Sequence, residues 1–188
     1  ATGAATLVED DGNGPRVTCD AHHARVRRGP VARLIVAGVS PVAIACAEFA
    51  CAMGFEVIVC DPREEAWEDV TLPGVRTRRE LPSAFIASGA SHAATAIVAL
   101  THDPRLDDLT MIEAVRTPAF YIGVMGSQRT STARAERLAR TGGLSEEEIA
   151  RLHMPIGLAL GSRTPAEIAL AVMADIVRVR RGKARDAL

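Results

Sequence analysis

"VAGVSPVAIACAEFACAMGFEVIVCDPR", residues 36–63, decides the reading of the chain. An apolar run ends at Gly38, a helical stretch follows from Pro41 to Met53 with Gly54 as its stop, and a second apolar run ends at Cys60 and Asp61. Ser40 suits the N-cap of that helix, because its side-chain oxygen can accept a free N–H of the first turn. Pro41 suits the first helical position, where no N–H is needed. Two strands joined by a helix in this way lie parallel, with a right-handed crossover.

The same alternation continues on both sides. "RLIVAG" (33–38), "FEVIVC" (55–60), "VRTR" (75–78), "ATAIVAL" (94–100), "AFYIGVMG" (119–126) and "PIGLAL" (155–160) read as strands. Helices are expected at 41–53, 82–88 and 107–116. Two more are announced by capping boxes, Ser145 with Glu148 and Thr164 with Glu167, the second strengthened by Pro165. In the helix from Pro165 to Val179, Ile168, Val172, Ile176 and Val179 share a face that Leu170, Met173 and Val177 widen. That width predicts packing on two sides, including a second copy of the chain.

The expected fold is therefore α/β: a doubly wound, mostly parallel sheet in a Rossmann-like, three-layer domain over residues 31–188. Residues 1–30, rich in Gly, Thr, Asp, His and Arg, read as an N-terminal arm, an edge hairpin or the remnant of a missing N-terminal domain. The chain begins with Ala, as a processed product or a fragment would.

Composition excludes several classes. A formal charge of −1 offers no field to gather nucleic acid or an anionic membrane, and neither is an expected partner. No apolar run approaches the ~20 residues a bilayer span needs, and no signal pattern opens the chain, so a cytoplasmic location is expected. Cys19, Cys46, Cys51 and Cys60 form no CxxC pair. Cys19 with His22 and His23 lacks a fourth ligand, and no metal site is assigned.

With strand order 3-2-1-4-5-6, ligands collect between the loops after Gly38 and Leu100. A dinucleotide fingerprint asks for two glycines, a small residue and a distant acid; Gly38, Ala43 and Asp61 meet three demands and Ser40 fails one. NAD(P) binding through this turn is thus the alternative reading, with a dehydrogenase as its function. The second loop offers Thr101, His102 and Asp103, suited to a metal, a proton or a polar ligand. The next, "GVMGSQRT", offers Gly126, Ser127 and Arg129 as an anion cradle at a helix start. Cys60 ends its strand beside Asp61 and reads as a buried thiol. His153 faces either the crevice or the end of the preceding helix. No nucleophile stands beside a base at a readable spacing, so no catalytic residue is assigned.

The βαβ unit ending in "DPR", the "THD" strand end, "YIGVMGSQR", "RLHMPIGLALGSRTPAEIA" and the closing helix together resemble the C-terminal Rossmann domain of the XdhC/CoxI family, over about residues 33–181. These are accessory factors of molybdenum hydroxylases such as xanthine dehydrogenase and carbon monoxide dehydrogenase. The resemblance implies a non-catalytic maturation factor. Such a factor binds the molybdopterin-type molybdenum cofactor, protects it while a cysteine desulfurase supplies sulfur, and passes it to the apo-enzyme. By position the cofactor-binding candidates are Gly38, Ser40, Asp61, Thr101, His102, Asp103, Gly126, Ser127 and Arg129.

Two departures stand out. The family's first turn commonly reads like GAGHVA, where this chain has "GVSPVA". Full-length members also carry an N-terminal domain with a cysteine implicated in holding the cofactor. Residues 1–30 are too short for that domain, and Cys19 lies in no equivalent motif. A fragment, a partner that supplies that half, or loss of cofactor binding would each account for this. A third reading, a module that only oligomerises and recruits partners through the last helix, rests on that helix's wide apolar face.

Overall fold

The computed structural model describes residues 17–20, 22–26, 30–101 and 103–184 of the 188-residue chain. The backbone divides into two compact units, residues 1–30 and 31–188. In the first, β1 (Val17–Cys19) pairs antiparallel with β2 (Ala24–Val26). Asp20 accepts the N–H groups of His22 and His23 across their turn, both at 2.7 Å.

The second unit holds a six-stranded sheet in the order β5-β4-β3-β6-β7-β8. Its strands are β3 (Arg33–Ala37), β4 (Glu56–Cys60), β5 (Arg76–Arg78), β6 (Thr95–Ala99), β7 (Tyr121–Val124) and β8 (Leu152–His153). Every pair is parallel. Numbered within this sheet, the order is the expected 3-2-1-4-5-6. Register brings Ala37 level with both Cys60 and Ala99, and Ala99 level with Val124. The loops after these four strands therefore open at one edge, where the candidate residues lie.

The helices are α1 (Pro41–Ala52), α2 (Pro82–Ala87), α3 (Pro104–Ala114), α4 (Gln128–Arg140), α5 (Glu146–Ala150) and α6 (Pro165–Arg180). Alternate strand residues feed two cores, because successive side chains point to opposite faces. Leu34, Val36, Val57, Val59, Ala96 and Val98 meet α1 and α6 on one face. Ile35, Ile58, Ile97 and Ile122 meet Ile86, Met111 and Leu138 of α2, α3 and α4 on the other. This is the three-layer arrangement.

Small residues on α1, notably Cys46, Ala47 and Ala50, let it lie against Ala169, Val172, Met173 and Ile176 of α6. Each fully buried Val, Ile or Met here stabilises the fold by about 1.5–3 kcal/mol. Much of the wide apolar face of α6 is thus covered by α1, while Leu170 and Val177 remain exposed.

Local signals fixed the helix starts. Ser40 accepts the Ala43 N–H, and both capping boxes close as read. Two expectations need correction. Helix α3 begins at Pro104 rather than Asp107, because Asp103 caps it and the proline opens it. "PIGLAL" is not a strand: the sixth strand is Leu152–His153, and Pro155, which has no N–H, ends the ladder after it. Ile156 then fills the space left over Gly123, and Gly157, with φ +86, passes so close to α6 that a Cβ would lie 3.0 Å from Val172 N.

Candidate functional site

At the first turn, Gly38 has φ +93, a left-handed conformation that glycine adopts without strain. A Cβ there would collide with the methyl group of Thr101. The glycine therefore lets two neighbouring strand ends meet. Ser40 is buried, and its hydroxyl donates to Leu100 O at 2.8 Å while accepting the Ala43 N–H at 3.2 Å.

Asp61 is fully buried and accepts four hydrogen bonds. Val39 N–H donates at 2.8 Å, and Arg63 donates through its backbone N and Nε at 2.9 Å each and through Nη2 at 2.6 Å. Burial alone would push the carboxyl up, but the Arg63 and Val39 bonds outweigh it and hold it below its ordinary range. A carboxylate has about four lone-pair positions, so Asp61 keeps none for a ribose hydroxyl. The acid that matched the dinucleotide pattern braces the first turn against Arg63. Its bond also raises the Arg63 guanidinium, to which the nearby Asp103 adds a smaller electrostatic contribution.

Thr101 is buried at the end of β6. Its hydroxyl donates to Asp107 Oδ1 at 2.8 Å and accepts the Asp103 N–H at 2.9 Å. Asp103, partly exposed, caps α3 by accepting Arg105 N–H at 2.9 Å. His102 lies outside the described residues. Gly126 and Ser127 follow β7, and Ser127 caps α4 by accepting the Thr130 N–H. The Arg129 side chain is exposed at the same helix start.

A buried network joins the second and third loops. Arg134 donates through Nη2 to Asp107 at 3.0 Å, through Nε to Asp108 at 3.1 Å and through Nη1 to Met125 O at 2.9 Å; Arg137 also pairs with Asp108. Burial pushes the Asp107 carboxyl up to about 6 despite the Thr101 and Arg134 bonds. The chain Thr101, Asp107, Arg134, Met125 thus holds the "THD" loop to the turn that contains Gly126. Sequence reasoning did not assign these groups. Two adjacent acids early in a helix and two arginines three apart on the next were the available signals.

A second unanticipated cluster lies under α6. Asp175 is fully buried, accepts from Tyr121 Oη at 2.9 Å and Arg178 Nε at 2.8 Å, and lies 3.3 Å from His153 Nδ1. Burial opposes ionisation, yet His153, Arg178 and Tyr121 hold the carboxyl far below the ordinary range. His153 stacks on Tyr121 with ring centroids 4.2 Å apart. It therefore serves the β8–α6 packing rather than the end of the preceding helix. A lone acid inside an apolar helical stripe was the signal.

Cys60 belongs to the core, where burial first and Glu80 second push its thiol up to about 12; it is not a nucleophile. Among the described residues, no three His, Cys, Asp or Glu side chains gather as a metal site. A cavity of about 260 Å³ between Ile86, Ser91, Glu113 and Thr117 opens at the amino ends of the strands, away from these loops. No helix among the described residues is long and apolar enough to cross a membrane.

The sheet order, the level strand ends and the "THD" and "GSQR" loops can now be set beside known proteins. The family model described as the XdhC Rossmann domain matches residues 34–176. The chain belongs to that family. Among relatives, the Escherichia coli protein YqeB is 30% identical over 189 residues, covering 95% of this chain and 32% of YqeB. The Escherichia coli molybdenum cofactor insertion chaperone PaoD is 30% identical over 158 residues, covering 84% of this chain and 43% of PaoD. A Bacillus subtilis protein described as a probable xanthine dehydrogenase subunit is 28% identical over 153 residues, covering 81% of this chain and 44% of that protein. A solved xanthine dehydrogenase structure from Bacillus halodurans aligns with a TM-score of 0.69 at 23% identity, over 88% of this chain and 46% of that one, and shows the shared fold. The chain spans less than half the length of each of these proteins.

The blocks that carried the XdhC resemblance divide by role. "PIGLALGSRTPAEIA" is packing: Ile156 over Gly123, Gly157 against α6, and the Thr164–Glu167 capping box. "THD" and "GSQR" of this XdhC domain sit at the open edge of the sheet.

Proposed function

We propose that this chain is the Rossmann part of a maturation factor for molybdenum hydroxylases, and that it holds the molybdopterin-type cofactor at the carboxyl ends of its strands before transfer to the apo-enzyme. The observation that carries the reading is membership of the XdhC Rossmann-domain family, with PaoD, a named cofactor insertion chaperone, among its relatives. The site's chemistry fits. A phosphorylated pterin needs donors and an anion cradle, which the Gly126, Ser127, Arg129 turn supplies, with Thr101 and Asp103 alongside; His102 belongs to this proposal by its place in the sequence. Gly38, Ser40 and Asp61 shape the crevice wall from within.

The NAD(P) reading fares worse on the geometry. Asp61 has no lone pair left for a ribose, and the Val39 N–H and the Ser40 hydroxyl are both engaged within the fold. In this proposal the factor works in the cytoplasm and as a homo-oligomer, holds the cofactor while a cysteine desulfurase supplies its sulfur, and docks on the apo-hydroxylase.

Transfer is the test. Cofactor-free xanthine dehydrogenase, given molybdopterin cofactor at limiting concentration, should recover activity faster and further with the native chain present than with Arg129→Ala. Equal recovery with native chain, variant and buffer alone would defeat the maturation role.

A further inference from the structure

In a dinucleotide fold the phosphate ordinarily rests on the first βα turn, against free N–H groups of the helix start. Here that turn keeps the Val42 N–H but little else. The Val39 N–H is bound to Asp61, residue 41 is a proline, the Ala43 N–H is bound to Ser40, and Ser40 itself is 7% exposed. The start of α4 is more open. Neither α1 nor α4 has an acid in its first turn, but α4 has no proline there, and Gln128 and Arg129 are exposed with no capping partner for their N–H groups among the described residues. The starts of α3 and α6 each carry a proline and an acid, Asp107 and Glu167.

A free helix start is not in itself a site; Ser131 supplies the independent observation. Its side chain is 3% exposed and its hydroxyl has no hydrogen-bond partner among the described residues. A buried hydroxyl left in this state destabilises the fold unless a ligand or water satisfies it. Its Oγ lies 3.6 Å from the point a Cβ on Gly126 would occupy, and Thr130 Oγ1 lies 2.6 Å from the same point. Helical side chains lean toward the N-terminus, so the Ser131 hydroxyl faces Gly126, while the Thr130 hydroxyl packs over the same glycine and donates to Ser127 O at 2.9 Å.

We infer that the Gly126–Ser131 turn is the seat of the ligand's phosphoryl group, and that the α1 turn serves the fold alone. Phosphate oxygens would accept from the Gln128 and Arg129 N–H groups and from the Arg129 guanidinium, with the Ser131 hydroxyl as the donor at its base; the Thr130 hydroxyl is committed to Ser127 O at 2.9 Å. A phosphomonoester or diphosphate fits this donor set. A ligand held so runs from α4 back toward Thr101 and Asp103, the reverse of a dinucleotide anchored on α1. The inference deepens the cofactor reading and rests on it only for the rest of the ligand.

The test is titration of the uniformly ¹⁵N-labelled native chain with inorganic phosphate and then inorganic pyrophosphate, followed through amide resonances. Saturable shifts at Gly126–Ser131, with Val39–Ala43 unmoved, are expected. Arg129→Ala and Gly126→Ala should each weaken pyrophosphate by about tenfold or more, and Arg129→Lys should retain part of the affinity. Gly126 is not in the left-handed region, so its alanine variant carries no backbone strain and displaces the Thr130 hydroxyl from the position it holds over the glycine. Saturable shifts at Val39–Ala43, or no saturation anywhere, would overturn the site. Molybdopterin binding unchanged by both variants would also overturn it while leaving the cofactor reading intact. Pyrophosphate saturating this turn in a chain that does not bind molybdopterin would do the reverse.

Discussion

Gly38→Ala is expected to lower the free energy of unfolding by about 2–5 kcal/mol, the sum of left-handed backbone strain and overpacking. The residue sits at φ +93, and a Cβ would overlap the Thr101 methyl group. Thr101 cannot move aside freely, because its hydroxyl is tied to Asp107 and to the Asp103 N–H. Urea unfolding measures the loss, with an unchanged dependence on urea if the denatured state is the same. Thr101→Ser in the same chain should restore part of the loss, since it deletes the overlapping carbon and keeps the hydroxyl. A single Gly38→Ala variant as stable as the native chain would show that the two strand ends are not in contact.

Asp61→Ala is expected to cost about 1–3 kcal/mol at neutral pH, the range for leaving a buried donor unsatisfied, because the Arg63 side chain is 36% exposed and water takes over part of its pairing. It strands the Val39 N–H and leaves the Arg63 guanidinium without its carboxylate. Because the folded-state pKa of Asp61 is lowered, its contribution is present above the unfolded value near 4 and is lost as pH falls through the folded one. The stability gap between native chain and variant should therefore narrow as pH falls below 4. NADH is expected to bind neither the native chain nor the variant. If NADH binds the native chain and Asp61→Ala weakens it without loss of stability, the carboxylate reads a ribose and the bracing role is wrong.

The architecture was legible wherever the rule involved was local. Ser40 with Pro41, Ser145 with Glu148 and Thr164 with Glu167 are caps set by residues within one turn, and each formed as read. Apolar runs ending at Gly38, Cys60 and Leu100 located the strand ends, and the sheet order followed from topology rules. "PIGLAL" misled because an apolar run reads the same whether it joins a sheet or crosses a helix; Pro155 and the close approach of Gly157 to α6 decided against the ladder. Asp61 was visible as an acid at the right distance from Gly38. Its four bonds were not, since nothing local indicates that Val39 and Arg63 saturate it. Asp107 and Arg134, 27 residues apart, and Tyr121 and Asp175, 54 apart, are paired only by the tertiary fold.

Anaerobic calorimetric titration of the chain with molybdopterin cofactor and, separately, with NADH and NADPH decides which ligand the strand ends hold. Saturable binding of the pterin, weakened by Arg129→Ala, is predicted, with no heat from either nucleotide at millimolar concentration. Saturable binding of a nicotinamide nucleotide, with none of the pterin, would contradict a role in handling the molybdenum cofactor.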